Sequence, residues 1–236
     1  MTYLGNSVLV VVPARGGSKG ISHKNLKVIG GISLVARAAK IAQALPWIDA
    51  KILSSDDPQI IAEGKQAGLD VPFIRPVDLA RDDSTSADMW RHAWLESEAF
   101  YNRRFDVSIL LEPTSPLRTV EDIENTLKAL LSGDHLAAVT LSPIPAHCAP
   151  HKALKIGSSG HVDFFLPDGA NYPLRQNVPQ LLHRNGLCYA VKRTALVEMK
   201  LIIEKMCVPV VIERPVVNID DPIDLKIAEW LLSQQT

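Results

Sequence analysis

A short apolar run near the start of the chain constrains the fold more than any other feature. Residues 8–12 are four valines and one leucine, so the run is apolar on both faces. Such a strand is typical of the centre of a parallel sheet that is covered by helices on both sides. The run ends at Pro13 and leads into a glycine-bearing loop. This order predicts a strand, a loop and then a helix.

The same order of elements recurs along the chain. Ser33 caps a helix predicted to about Ala44, and Asp57 with Pro58 begins another helix after a strand at 50–54. Further strands are predicted at 71–74, 107–111, 137–141, 187–191, 208–212 and 216–219, and further helices at 86–99, 119–131, from 194 and at 222–232. Strands that alternate with helices predict an α/β fold with a doubly wound, mostly parallel sheet.

One stretch breaks this alternation. Six prolines interrupt the region from Pro143 to Pro179, and only short strand-like pieces such as 161–166 remain. We therefore expect a single domain over residues 1–236 that carries an inserted, β-rich arm at 143–180.

The charge balance argues against several classes of protein. The chain is 47% hydrophobic and 22% charged, with a net charge of -1. A nucleic-acid or membrane-surface protein usually shows a basic excess, so neither partner is expected. The three cysteines are scattered and odd in number, which favours a reducing compartment, the cytoplasm.

The loop after the first strand is the strongest chemical signal. It contains Gly16, Gly17 and Gly20 together with the cations Arg15, Lys19 and Lys24. Backbone N–H groups and cations in such a loop are suited to cradle a polyphosphate. The loop has neither the Walker spacing nor the G-x-G-x-x-G spacing, so ATPase and dehydrogenase interpretations are disfavoured. A solvated basic turn is the alternative.

Six motifs together carry a resemblance to a known family. They occur in the same order as in that family and extend over nearly the whole chain: A-R-G-G-S-K-G with K-N at 14–25, R-P-x-x-L-A-x-D with S-T-S at 75–86, L-E-P-T-S-P-L-R at 111–118, R-Q-x-x-P at 175–179, N-G-x-x-Y at 185–189 and I-D-x-x-x-D at 219–224. The chain resembles the acylneuraminate cytidylyltransferases.

The resemblance implies a reaction and its partners. The family is similar in fold to Rossmann-like nucleotidyltransferases and transfers CMP from CTP to the anomeric hydroxyl of an acidic nine-carbon sugar, a nonulosonic acid, releasing pyrophosphate. The implied cofactor is Mg²⁺ or another divalent cation, and the implied assembly is a homodimer or a dimer of dimers that uses the arm. Alternatives are the same chemistry on legionaminic, pseudaminic, deaminated neuraminic or another 3-deoxy-ulosonic acid, or a non-catalytic nucleotide-binding relative.

The resemblance also assigns site residues. Arg15, Lys24 and Asp220 are the expected catalytic residues. The expected nucleotide-binding residues are Ala14, Arg15, Gly16, Lys19, Lys24, Asn25, Arg75, Ser84 and Ser86. A surface salt bridge is the alternative role for Arg75, and a helix cap is the alternative role for Ser86.

The expected sugar-binding residues are Glu112, Thr114, Ser115, Arg118, Lys152, Arg175, Gln176, Asn185 and Tyr189. A planar guanidinium suits a sugar carboxylate, which is the role that the resemblance implies for Arg175. Position 112 departs from the family, which has glutamine there. Glu112 either accepts hydrogen bonds from the sugar or pairs with a cation such as Arg118. Tyr189 has a core role as its alternative.

The expected metal residues are Asp220 and Asn218. The family commonly has an aspartate at each of these positions, so Asn218 is a second departure. In an extended segment, side chains two residues apart point to the same side, so both residues can face one ion. An amide oxygen can also bind Mg²⁺, directly or through water. Asp221 is expected to cap the last helix, with Asp224 in its first turn.

Overall fold

A six-stranded sheet organises the chain in the computed structural model, which describes residues 3–234. The strands within these residues are β1 (Val8–Pro13), β2 (Val28–Ile29), β3 (Ile32–Ser33), β4 (Ala50–Ser54), β5 (Val107–Leu110), β6 (Ala137–Pro143), β7 (Leu154–Ile156), β8 (Val162–Phe164), β9 (Leu182–Lys192) and β10 (Cys207–Val211). The α-helices are α1 (Leu34–Gln43), α2 (Pro58–Gln66), α3 (Ser86–Tyr101), α4 (Val120–Leu131) and α5 (Pro222–Ser233).

The order of strands in the main sheet is β10-β6-β9-β5-β1-β4. Strand β1 pairs in parallel with both β4 and β5, and Val11 lies opposite Ile52 on one side and Leu110 on the other. Residues 8–12 of β1 have no exposed surface, as a strand apolar on both faces requires. Strand β9 runs antiparallel to β5. The predicted doubly wound α/β fold is confirmed, with a sheet that is mixed rather than wholly parallel.

Local capping signals set the starts of the helices. Ser33 accepts a hydrogen bond from the N–H of Ala36, and Asp57 accepts from the two N–H groups of Gln59 and Ile60. Thr119 and Asp122 form a reciprocal capping box at α4. These bonds satisfy donors that have no partner inside the helix, so each helix begins at the predicted position.

Two predicted strands are wrong. Residues 71–74 form no strand. The residue before them, Asp70, makes an isolated bridge with Ile52 of β4. Residues 216–219 are also irregular, although the Ile219 N–H donates to the Thr114 carbonyl at 2.8 Å. Pro72 and Pro215 lack the N–H that a ladder needs, which explains why apolar composition misled the prediction. The helix predicted from residue 194 is a single π-helical turn, Thr194–Glu198.

The chain divides into two units. The first comprises Met1–Thr140, Asn185–Val210 and Arg214–Thr236, and the second comprises Leu141–Arg184 with Val211–Glu213. The predicted arm at 143–180 belongs to the second unit, which contains the antiparallel hairpin β7-β8 and several short 3₁₀ turns. No helix within residues 3–234 is both long enough and apolar enough to cross a membrane.

Candidate functional site

The first unit contains a polar cleft at the carboxyl ends of β1 and β5. Its volume is about 430 Å³, and Pro13, Leu110 and the residues that follow them line it. Five cationic side chains and three acidic ones face this space: Arg15, Lys19, Lys24, Arg75 and Arg81 against Asp82, Glu112 and Asp220. Ligands of open α/β sheets bind at this end of the strands. The excess of cations makes the cleft suited to an anion.

One carboxylate holds two cations of the glycine-bearing loop. Asp82 contacts the guanidinium of Arg15 at 2.8 Å and the ammonium of Lys19 at 2.8 Å. The hydrogen bond from Lys19 is the main cause that lowers the pKa of Asp82, and Arg15 adds to it. Asp82 therefore remains ionised and keeps both cations at the mouth of the cleft.

Lys24 ties the loop to the segment before α5. Its ammonium donates to the Ile219 carbonyl at 2.9 Å and to the Asp220 carboxylate at 3.1 Å. Gly20 allows this approach, since a Cβ there would lie 2.6 Å from the Asp220 carbonyl oxygen. The Lys24 side chain is only 17% exposed, whereas that of Asp220 is 74% exposed. The charge of Asp220 is thus available to a ligand in the cleft.

Asn25 and Arg75 are buried polar residues in the wall of the cleft. The Asn25 amide donates to the Arg15 carbonyl at 3.0 Å, and the Arg75 Nε donates to the Ser54 hydroxyl at 3.0 Å. Burial lowers the pKa of Arg75 to about 10, with Asp56 opposing that shift and Arg15 adding to it. A surface salt bridge, the alternative role for Arg75, is excluded because the residue is 5% exposed.

The remaining predicted nucleotide residues lie around the same loop. The N–H of Ala14 donates to the Ser54 carbonyl at 3.0 Å, and the N–H of Gly16 donates to Asp56 at 3.0 Å. Ser84 lines the cleft, and its buried hydroxyl lacks a hydrogen-bond partner in the part of the chain that the structure describes. Ser86 also lines the cleft but is not a cap, because Thr85 caps α3.

The loop after β5 supplies the other wall. Glu112 and Thr114 line the cleft, whereas Ser115 and Arg118 are buried beneath it. The Arg118 guanidinium donates to the carbonyls of Glu112 and Gly186 at 2.8 and 3.1 Å, and to that of Leu187. Burial lowers the pKa of Arg118 to about 10. These bonds fix the shape of the loop beneath the cleft.

Two more of the predicted sugar residues belong to β9. Asn185 is 2% exposed, and its Oδ1 accepts from the Thr140 hydroxyl at 2.7 Å. Tyr189 is 8% exposed and lies opposite Leu110 in the ladder. Their positions fit a supporting role for the loop that carries Glu112.

Three polar side chains converge on Gly186. A Cβ at this glycine would lie 2.5 Å from Ser115 Oγ, 2.9 Å from Glu112 Oε2 and 3.1 Å from Asn218 Nδ2. Gly186 also has a φ of +73°, a conformation that other L-residues rarely adopt. The backbone conformation therefore favours glycine at this position, and a Cβ here would require the neighbouring side chains to shift.

The segment before α5 holds the two predicted metal residues. The amide oxygen of Asn218 is buried and, among residues 3–234, has no hydrogen-bond partner. Asp221 is the N-cap of α5 and forms a capping box with Asp224, whose carboxylate also accepts from the N–H of Asp220. Within the described chain, no three His, Cys, Asp or Glu side chains are grouped to hold a metal. The protein's contribution to a metal site would thus be one carboxylate and an amide oxygen.

The other predicted sugar residues belong to the second unit. The Lys152 ammonium donates to the Pro173 carbonyl at 3.0 Å and to that of Tyr172. Arg175 and Gln176 begin a short 3₁₀ turn and are exposed.

Two functional features were not predicted from the sequence. Asp82 belongs to the motif at 75–86, but its bonds to Arg15 and Lys19 join residues that are more than sixty positions apart in the chain. Gly186 was also recognised, although its three neighbours come from segments that are distant in sequence. The Asn–Gly pair at 185–186, a sequence typical of turns with positive φ, is the available signal for the second.

The fold and the cleft define a nucleotidyltransferase-like α/β protein. The sequence model of the family described as "Cytidylyltransferase" matches residues 9–146. The chain belongs to this family, and it is an enzyme of the nucleotidyltransferase class.

Relatives extend the likeness over the whole chain. The chain is 27% identical over 231 residues to post-translational flagellin modification protein B of Campylobacter coli, covering 98% of this chain and 97% of that protein. It is 29% identical over 227 residues to CMP-N,N'-diacetyllegionaminic acid synthase of Campylobacter jejuni, covering 96% and 95%. Pseudaminic acid cytidylyltransferase of Campylobacter jejuni is 28% identical over 227 residues, with 94% and 95% covered.

A solved structure shows the same fold. The structure titled CMP:2-keto-3-deoxy-manno-octonic acid synthetase complexed with CTP superimposes with a TM-score of 0.70 at 18% identity, over 98% of this chain and 100% of that one.

Proposed function

We propose that this enzyme transfers CMP from CTP to the anomeric hydroxyl of a nonulosonic acid and releases pyrophosphate. The observation that carries the proposal is the cleft, where cations of one loop face the carboxyl ends of β1 and β5. Relatives that align with nearly the full length of this chain are named as synthases or cytidylyltransferases of such acids. The cations of the cleft support CTP as one substrate, and the names of the relatives support a nonulosonic acid as the acceptor of CMP.

The contacts of the nucleotide residues support the following roles. Arg15, Lys19 and Lys24 bind the triphosphate, and Asn25, Arg75 and Ser84 form the polar wall for cytosine and ribose. The Ser84 hydroxyl, which has no hydrogen-bond partner among residues 3–234, is a donor or acceptor that a ligand can satisfy. Ala14, Gly16 and Ser86 shape the loop and the helix start beside them.

The reaction is one displacement at phosphorus. The anomeric oxygen of the sugar attacks the α-phosphorus of CTP, the bond from that phosphorus to the bridging oxygen of pyrophosphate breaks, and the hydroxyl proton passes to water. Arg15 and Lys24 stabilise the charge that develops on the departing pyrophosphate. No covalent enzyme intermediate is required.

Asp220 and Asn218 fit a divalent cation. The exposed carboxylate of Asp220 is an oxygen donor of the kind that Mg²⁺ prefers. The amide oxygen of Asn218, which has no hydrogen-bond partner in the described part of the chain, is another. When bound, Mg²⁺ would neutralise phosphate charge and leave the loop cations to position the leaving group.

The residues proposed for the acceptor sugar are described for each unit by itself. In the first unit, Glu112 and Thr114 face the cleft, with Ser115, Arg118, Asn185 and Tyr189 supporting them. In the second unit, Arg175 and Lys152 carry positive charge suited to a sugar carboxylate, beside Gln176. The arm at 143–180 also forms a homodimer contact. Its exposed apolar side chains support this, since Leu154, Ile156 and Phe165 are 59%, 78% and 58% exposed.

Pyrophosphate release tests the proposal. The enzyme is incubated with Mg²⁺, CTP and a panel of neuraminic, legionaminic, pseudaminic and eight-carbon 3-deoxy acids. We expect release with CTP and at least one nine-carbon acid, and none when ATP, GTP or UTP replaces CTP. Release with the eight-carbon acid alone, or equal release with ATP, would contradict it.

A further inference from the structure

Asp82 bridges two cations in the way that a phosphate group bridges them. One carboxylate oxygen contacts the Arg15 guanidinium at 2.8 Å, and the other contacts the Lys19 ammonium at 2.8 Å. Anions bind to such loops through the same charge-assisted contacts. A phosphate on Arg15 and Lys19 would lie beside the Asp82 carboxylate, and like charges at that range repel. Asp82 and a phosphate therefore compete for these two cations.

The segment 77–84, which carries Asp82, depends on the same cations for its polar attachment. Arg15 also donates to the Ala80 carbonyl at 3.2 Å. Other bonds of the segment are local, such as the ion pair of Arg81 with Asp78 at 2.9 Å. Among residues 3–234, the hydrogen bonds and ion pairs that join this segment to a distant part of the chain all end on Arg15 or Lys19. Its polar attachment is lost when both cations change partner.

The bridge of Arg15, Asp82 and Lys19 lies between two spaces. The cleft of about 430 Å³ and a neighbouring open hollow of about 520 Å³ both have these three residues in their walls. Withdrawal of Asp82 would therefore open space beside both cations for phosphate groups.

The bridge is also weak enough to be displaced. The side chains of Asp82 and Lys19 are 48% and 81% exposed, so water solvates both charges and competes with their contact. A phosphate group offers more charge and more acceptor oxygens than one carboxylate. The exchange of Asp82 for a polyphosphate is therefore favourable when the polyphosphate is present.

We propose that Asp82 is an internal competitor of the nucleotide phosphates. It holds Arg15 and Lys19 when no nucleotide is bound, yields them to the triphosphate of CTP, and takes them back as pyrophosphate leaves. This inference rests on the proposed function, in which the same two cations bind the triphosphate. Asp82 thereby lowers the affinity for pyrophosphate and speeds the release of this product.

Anion binding tests the competition without any sugar. The variants are Asp82→Asn and Asp82→Ala, which should both fold because the side chain is half exposed. Asp83→Asn is the matched control, since Asp83 also lines the hollow but makes no ion pair within the described chain. Inorganic pyrophosphate and CTP are titrated by calorimetry without Mg²⁺, at about 0.15 M salt to limit long-range effects of charge.

The competition predicts tighter binding in both variants of residue 82. The Kd for pyrophosphate and for CTP should fall about three- to tenfold in Asp82→Asn and at least as far in Asp82→Ala. In Asp83→Asn the Kd should change by less than about twofold.

The order of the variants separates competition from a structural role. Asparagine keeps an oxygen that can accept from Arg15, whereas alanine keeps none. If Asp82 only oriented the cations, binding would weaken, and more so in Asp82→Ala than in Asp82→Asn. That result, a Kd no lower than in Asp83→Asn, or no pyrophosphate binding by any of these proteins would overturn the proposal. If pyrophosphate binds more tightly to the variants while no acid is a substrate, the competition stands and the proposed function fails.

Discussion

Replacing Gly186 by alanine tests the geometry beneath the cleft. The new methyl group would lie 2.5 Å from Ser115 Oγ and 2.9 Å from Glu112 Oε2, both closer than real Cβ contacts. The φ of +73° adds backbone strain. The strain costs ~1 kcal/mol and the crowding 1–3 kcal/mol more, so we expect a loss of about 2 to 4 kcal/mol. For a chain of this size the melting temperature should fall by about 4 to 16 °C.

Gly31→Ala is the matched control. Gly31 has a φ of +82°, but a Cβ there would meet nothing within 4 Å. It therefore carries the conformational strain alone and should lower the melting temperature by about 2 to 4 °C. Calorimetry on both variants gives the steric contribution by difference. If Gly186→Ala were no less stable than Gly31→Ala, the convergence of side chains on Gly186 would be refuted.

Three further predictions concern the charges and the thiols. Arg175→Ala should raise the sugar KM by a factor equivalent to about 2 kcal/mol and leave the CTP Kd unchanged. Steady-state kinetics measures the KM, and calorimetric titration measures the Kd. An equal loss of CTP binding would contradict this prediction. Asp220→Asn should lower kcat at least about 100-fold. The free energy of unfolding should stay near that of the wild type, because the hydrogen bond from the residue 220 N–H to Asp224 is kept. A near-normal kcat at limiting Mg²⁺ would contradict the assignment of a metal site to this segment. At pH 8 a thiol reagent should modify the exposed Cys148 and spare Cys188, since burial raises the pKa of Cys188 to about 12; labelling of Cys188 in the folded protein, seen by mass spectrometry, would contradict its burial.

The elements that sequence predicted best are those set by local chemistry. The apolar run of β1 and the caps Ser33, Asp57 and Thr119 depend on side chains within a few residues of one another. At α3 the sequence offers a cap only as the alternative role of Ser86. The structure selects Thr85, which accepts from the N–H of Asp88.

Features that depend on distant pairing were not predictable. Residues 71–74 and 216–219 have strand-like composition, but whether a strand forms depends on a partner edge that the local sequence does not specify. The antiparallel direction of β9 relative to β5 also depends on pairing between distant segments. The bonds from Asp82 to Arg15 and Lys19, and the convergence of Glu112 and Asn218 on Gly186, likewise arise from the fold as a whole.

The product of the reaction tests the central claim most directly. The enzyme is given Mg²⁺, CTP and a nonulosonic acid that carries ¹⁸O at the anomeric hydroxyl, and the products are analysed by mass spectrometry. The account predicts a CMP–sugar that retains the label in the bridge between sugar and phosphorus, with one unlabelled pyrophosphate for each molecule formed. Absence of a CMP–sugar with every acid tested while CTP is bound, or loss of the label from the bridge, would contradict it.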